Sequence, residues 1–107
     1  MMDENLIVGK DMSLKQVMER ITYNRRGVAF VCENKKLIGL ISDGDIRRAI
    51  LSGSNLMTPV HKIMNTNPIS TEKTDKKELK ELCEKSKISA IPIVNSDNEL
   101  IDVFFYQ

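Results

Sequence analysis

A chain of 107 residues allows one compact domain, and neither half alone could bury an adequate core. Hydrophobic residues make up 41% and charged residues 29%, the balance of an ordinary globular protein. A formal net charge of +1, only 5% aromatic residues and no Trp argue against a dedicated nucleic-acid binder and against a stacking platform for single strands.

Cys32 and Cys83 have neither metal-ligand spacing nor a disulfide framework, and read as buried reduced thiols. No apolar run reaches membrane-spanning length, and the polar start Met1-Met2-Asp3-Glu4-Asn5 has no signal-peptide pattern. The expectation is a cytoplasmic protein with no membrane partner.

In chain order, Leu6-Ile7-Val8 is a short strand or extended arm ended by Gly9. Ser13 opens a first helix, with Gln16 at capping-box spacing. Leu14, Val17, Met18 and Ile21 fall on one face, which should be buried, and the helix should end near Tyr23-Asn24. Two strands follow, Gly27–Cys32 and Lys36–Ser42, around a tight polar turn at Glu33-Asn34-Lys35. Ser42-Asp43-Gly44-Asp45 leads into a second helix, Ile46–Leu51. A connector with Pro59 reaches a helical turn at Val60–Met64, and Ile69-Ser70-Thr71 is a short extended piece. The third helix begins at Asp75, with Glu78 as a second capping-box partner. Lys77, Glu81 and Lys85 form a solvated ladder on its outer face. Two more strands, Ala90–Val94 and Glu99–Phe105, close the chain.

Helix, strand, turn and strand therefore recur at a period of about sixty residues. The expected fold is α+β (α/β), two β-α-β-β-α motifs as a pseudo-twofold pair, with small sheets packed against helices and the second motif lacking its final helix. The motifs divide at 1–59 and 60–107. A pair of halves has a cleft, and clefts bind ligands. Ser42 and Asp45 stand at the mouth of a helix, and Ser-x-x-Asp there is a helix-capping arrangement. One His without a carboxylate pair beside it gives hydrolytic or metal chemistry little support. Asp43 and Asp45 alone are too few ligands for a cation.

Three segments in order resemble the CBS motif, and the pair resembles a tandem CBS (Bateman) module: Leu37–Arg48, Val60–Ile69 and Ile88–Asn95. Asp-Gly-Asp-Ile-Arg-Arg is similar to the wording in the CBS pair at the N-terminus of some sugar-phosphate nucleotidyltransferases. It also looks like the pair that follows the isomerase domain of arabinose-5-phosphate isomerases. The start of the chain near the first strand favours the N-terminal placement.

The resemblance implies a regulatory module, not an enzyme, that binds an adenosine nucleotide (AMP, ADP or ATP) without other cofactor and pairs into a homodimer. It would modulate an attached or associated sugar-nucleotidyltransferase. The family's ribose signature, Ser or Thr, two residues, then Asp, falls on Ser42 and Asp45, whose carboxylate can accept from both ribose hydroxyls. One residue pair can both cap the helix and bind ribose. Leu40 would form the near wall, and Pro68, Ile69, Ser70, Thr71, Ala90, Ile91 and Pro92 the opposite one. Arg47, Arg48, His61 and Lys62 are candidates for the phosphate end. In the second motif the residue aligned with Ser42 is Phe105, so one principal site is expected.

The alternative reading is a structural dimerisation module with a degenerate cleft. Apolar residues left over on the helices mark the dimer surface: Ile46, Ala49, Ile50 and Leu51, and Leu79, Leu82 and Cys83, with Leu56, Met57 and Met64 as further contributors. The apolar end Phe104-Phe105-Tyr106-Gln107 suggests a fragment of a longer protein.

Overall fold

A computed structural model describes residues 2–106, which divide into two compact units, Asp3–Pro68 and a second from Ile69 onward. The described residues form a small mixed α+β structure with three α-helices and two small sheets.

In the first unit a 3-10 turn, Glu4–Leu6, leads into strand β1 (Ile7–Val8), helix α1 (Leu14–Asn24), strands β2 (Val28–Glu33) and β3 (Lys36–Ser42) and helix α2 (Asp43–Leu51). Sheet order is β1-β2-β3, with β1 parallel and β3 antiparallel to β2. Asn34 and Lys35 both have positive φ (52° and 70°), as a two-residue hairpin with the twist of its strands requires. The Ser13–Gln16 capping box forms in both directions and starts α1. Leu14, Val17 and Ile21 from α1, Ala29, Val31 and Ile41 from the sheet, and Ile46 and Ala49 from α2 share one buried core.

After α2 the chain returns as a strap. Leu14 and Lys15 N–H donate to the Thr58 and Leu56 carbonyls, and Val60 and His61 N–H to the Met12 and Lys10 carbonyls. A 3-10 turn, Val60–Lys62, follows. Asn65 then pairs with Leu40 on β3 through two backbone bonds, 3.0 and 2.8 Å. Gly39 makes this approach possible: a Cβ there would stand 2.5 Å from Met64 Sδ and 3.2 Å from the Asn65 carbonyl.

The second unit repeats the plan. Helix α3 (Lys76–Ser86) is followed by antiparallel strands β4 (Ala90–Val94) and β5 (Leu100–Phe105). Its core joins Leu79 and Cys83 to Ile91 and Ile93. The N-caps Ser13 and Asp75, and the left-handed C-caps Arg25 and Lys87, are each offset by 62 residues. The β-bulges at Val31/Cys32 and Ile93/Val94 share that offset. Thr71 takes the place of β1, donating to the Pro92 carbonyl and accepting from Val94 N–H. The position equivalent to Pro92 is Phe30, which pairs with Ile7. Proline lacks the N–H that would lengthen this edge, so its pairing stops at one residue.

Several details differ from the sequence expectations. Met18 is 38% exposed, because α1 buries a narrow stripe of Leu14, Val17, Ile21 and Asn24, with Met18 at its margin. Helix α2 begins at Asp43, so Asp43-Gly44-Asp45 is its first turn. At α3, Asp75 accepts from Glu78 N–H, while the Glu78 carboxylate pairs with Lys73 at 2.9 Å. Cys83 is buried, but Cys32 is only half-buried. Ile46, Ala49, Leu79 and Cys83 lie within the cores of their units and are not surface residues.

Candidate functional site

Strand β3 ends at Ser42, and the chain turns directly into α2. The free N–H groups of that first turn need acceptors, and Ser42 and Asp45 supply them reciprocally. Asp45 N–H donates to Ser42 Oγ at 3.2 Å, and Ser42 N–H donates to Asp45 Oδ2 at 3.0 Å. The second carboxylate oxygen, Oδ1, accepts from Arg48 Nη2 at 2.8 Å. Partial burial opposes ionisation of Asp45, yet the Ser42 backbone and hydroxyl and the Arg48 guanidinium outweigh it and hold the carboxyl below its ordinary value. The result is a fixed, ionised carboxylate at a helix start, with acceptor capacity beyond its present bonds.

In the same unit, Leu40 is half-buried two residues before Ser42, its N–H and carbonyl both engaged by Asn65. Pro68 is half-buried. Arg48 is drawn to Asp45, whereas the exposed Arg47 faces a surface hollow with Asp43, Met18, Ile46, Ile50 and Leu51. His61 and Lys62 are exposed on the 3-10 turn. In the second unit, Ile69 and Ser70 are exposed, Thr71 and Ala90 are half-buried, and Ile91 and Pro92 are buried. The Pro92 carbonyl is occupied by Thr71 N–H.

The strand registers define how the repeats differ. Val28 pairs with Ser42 in the first unit, and Ala90 with Phe105 in the second. The bond from Asp43 N–H to the Gly27 carbonyl recurs as Tyr106 N–H to the Ser89 carbonyl. Phe105 therefore holds the position of Ser42, and an aromatic ring replaces a hydroxyl. Among the described residues no cluster of His, Cys, Asp and Glu could hold a metal ion, and no helix is long and apolar enough to cross a membrane.

Two features of the site escaped the sequence reading. One is the Arg48 contact, which three-residue helical spacing could have suggested. The other is Asn65 on the edge of β3, for which an isolated Gly39 inside an apolar strand was the available signal.

Residues 1–52 match the family model described as the CBS domain. Arabinose 5-phosphate isomerase GutQ of Salmonella typhimurium is 32% identical over 101 residues, covering 89% of this chain and 32% of the relative. The chain thus spans about a third of the length of the curated relatives it matches. Among solved structures, a putative acetoin utilization protein (AcuB) from Vibrio cholerae gives a TM-score of 0.88 at 23% identity, covering 98% of this chain and 79% of the other. CBS domain protein PAE2072 from Pyrobaculum aerophilum, complexed with AMP, gives 0.80 at 21% identity, covering 94% and 79%. Residues 1–52 accordingly resemble a CBS domain, and the chain carries the fold of solved CBS-domain proteins.

Proposed function

We propose that the chain is a non-catalytic regulatory module that binds an adenine nucleotide at Ser42 and Asp45 and adjusts a sugar-phosphate enzyme attached to or associated with it. The observation that carries this reading is the ionised Asp45 carboxylate in the first turn of α2, bonded to Ser42 at the end of β3, where the repeat has an apolar Phe105 in place of Ser42. The AMP complex of the Pyrobaculum structure supports the ligand class. The similarity to GutQ supports an isomerase as one form of the regulated enzyme, and the Asp-Gly-Asp-Ile-Arg-Arg wording supports a sugar-phosphate nucleotidyltransferase as the other. Regulation requires that the nucleotide bind two arrangements of the protein with different affinity.

The module works as a homodimer. Helices α1 and α2 and the strap leave Met18, Tyr23, Ile50, Leu51, Leu56 and Met57 exposed, and Met18 lines one hollow with Tyr23 and Leu56 and another with Ile50 and Leu51, an apolar face suited to a second copy. A second reading, a dimerisation module without ligand, is favoured by the use of both Ser42 and Asp45 in capping α2.

A thermal-shift panel of AMP, ADP, ATP, GMP and S-adenosylmethionine separates the two. A ligand at about a hundred times its Kd should stabilise the protein by about 2.7 kcal/mol. Asp45→Ala should lose about 2–4 kcal/mol of binding through the bonds to its charged acceptor. No shift with any ligand would leave the dimerisation reading.

A further inference from the structure

The carboxylate at the candidate site already has a cation. Arg48 follows Asp45 by one turn of α2, and its Nη2 is 2.8 Å from Oδ1, while Oδ2 holds the Ser42 N–H. The guanidinium lies across Gly44, where a Cβ would stand 3.1 Å from Nη1 and 3.4 Å from Nη2. A side chain at position 44 would make the guanidinium shift by a few tenths of an ångström, so glycine leaves room for it over the first turn. A diol that donates to both oxygens of Asp45 competes with the guanidinium for Oδ1. The side chains of Arg48 and Asp45 are 67% and 32% exposed. An ion pair so open to water shifts an equilibrium by only about two- to fivefold, so displacement is easy. Once released, the guanidinium is a planar fork of donors suited to phosphate.

Resting on the nucleotide reading above, we propose that Arg48 is a displaceable latch on Asp45 that selects phosphorylated nucleosides over bare ones. The ribose hydroxyls take its place on the carboxylate, and the freed guanidinium meets the phosphate. A nucleoside must open the latch without that return, whereas a nucleotide gives the guanidinium a new partner.

The test is calorimetric titration of adenosine and AMP into the wild-type chain and into Arg48→Ala, with an NMR titration of the Asp45 carboxyl in the ligand-free forms. In Arg48→Ala adenosine should bind about two- to fivefold more tightly. AMP should bind at least about fivefold more weakly, collapsing the preference. Without ligand, the Asp45 midpoint should rise in the variant, because the cation is gone. An unchanged AMP-to-adenosine ratio where AMP does bind the wild type overturns the latch and leaves the nucleotide reading intact. Failure of both ligands to bind the wild type overturns both. An unmoved Asp45 midpoint overturns the latch whatever the ligands do.

Discussion

Single polar residues hold this fold at positions where apolar ones would be expected. Asn24 occupies the buried stripe of α1, and its Nδ2 donates to the carbonyls of Asn5 (2.9 Å) and Val28 (3.0 Å). Its Oδ1 accepts from Arg26 N–H at 2.7 Å. Asn24→Ala should cost about 2–3 kcal/mol in urea unfolding, because it removes the donor to a buried carbonyl, that of Val28, and to a part-buried one, that of Asn5. A loss below about 0.5 kcal/mol would show that water replaces the amide. The helix ends at Asn24, as its sequence indicates, but the carbonyls that converge on that side chain are visible only in the fold. The depressed Asp45 carboxyl sets a pH dependence. A group with a lowered folded-state value stabilises the protein above its unfolded value, here 3.8, and that contribution is lost as pH falls through the folded one. Acid unfolding curves of Asp45→Asn should therefore lack part of the wild-type slope below about pH 4, whereas superimposable curves would mean that the capping bonds do not persist in solution. Burial pushes the Cys32 thiol up to about 11, so iodoacetamide at pH 8 should alkylate it about a hundredfold more slowly than an unperturbed thiol.

At the scale of elements, the strap 55–65 depends on one residue without a side chain. Gly39→Ala puts a Cβ against Met64 Sδ and the Asn65 carbonyl, so Met64 or the backbone must shift. The expected loss is about 1–3 kcal/mol, with faster hydrogen exchange at the amides of Leu40 and Asn65, which bond each other. Wild-type protection at both amides would show that the strap gives way without breaking its bridge. Elements with strong local signals were legible in the sequence. The Ser13 capping box, the Asn34-Lys35 turn and the alternation of Leu37, Gly39 and Ile41 in β3 are all written in neighbouring residues. The half-made cap at Asp75 was not, because Lys73, which claims Glu78, lies outside the helix whose spacing was read. Nor was the bridge from Asn65 to Leu40, a backbone contact across a loop with no periodicity to announce it.

For the whole molecule, the repeat is the property the sequence stated best. Caps and bulges recur at the same offset in the two units, and the strand-end pairs match. The candidate site was legible only as a pair of residue types, since Ser-x-x-Asp at a strand end reads the same whether it caps a helix or also meets a ribose. The exposed face of α1 and α2 belongs to this scale as well. Sedimentation at tens of micromolar should show a dimer, and Leu51→Asp, at a residue 79% exposed, should yield a folded monomer. A wild-type monomer, or a dimer indifferent to that change, would move the interface elsewhere. The central claim is that a nucleotide is held by the one strand end that carries Ser42 and Asp45. Its most direct test is calorimetric titration of AMP into the wild-type chain beside Asp45→Ala. We expect one AMP per chain and loss of that binding in the variant. Two AMP per chain, or an affinity that Asp45→Ala leaves unchanged, would contradict it.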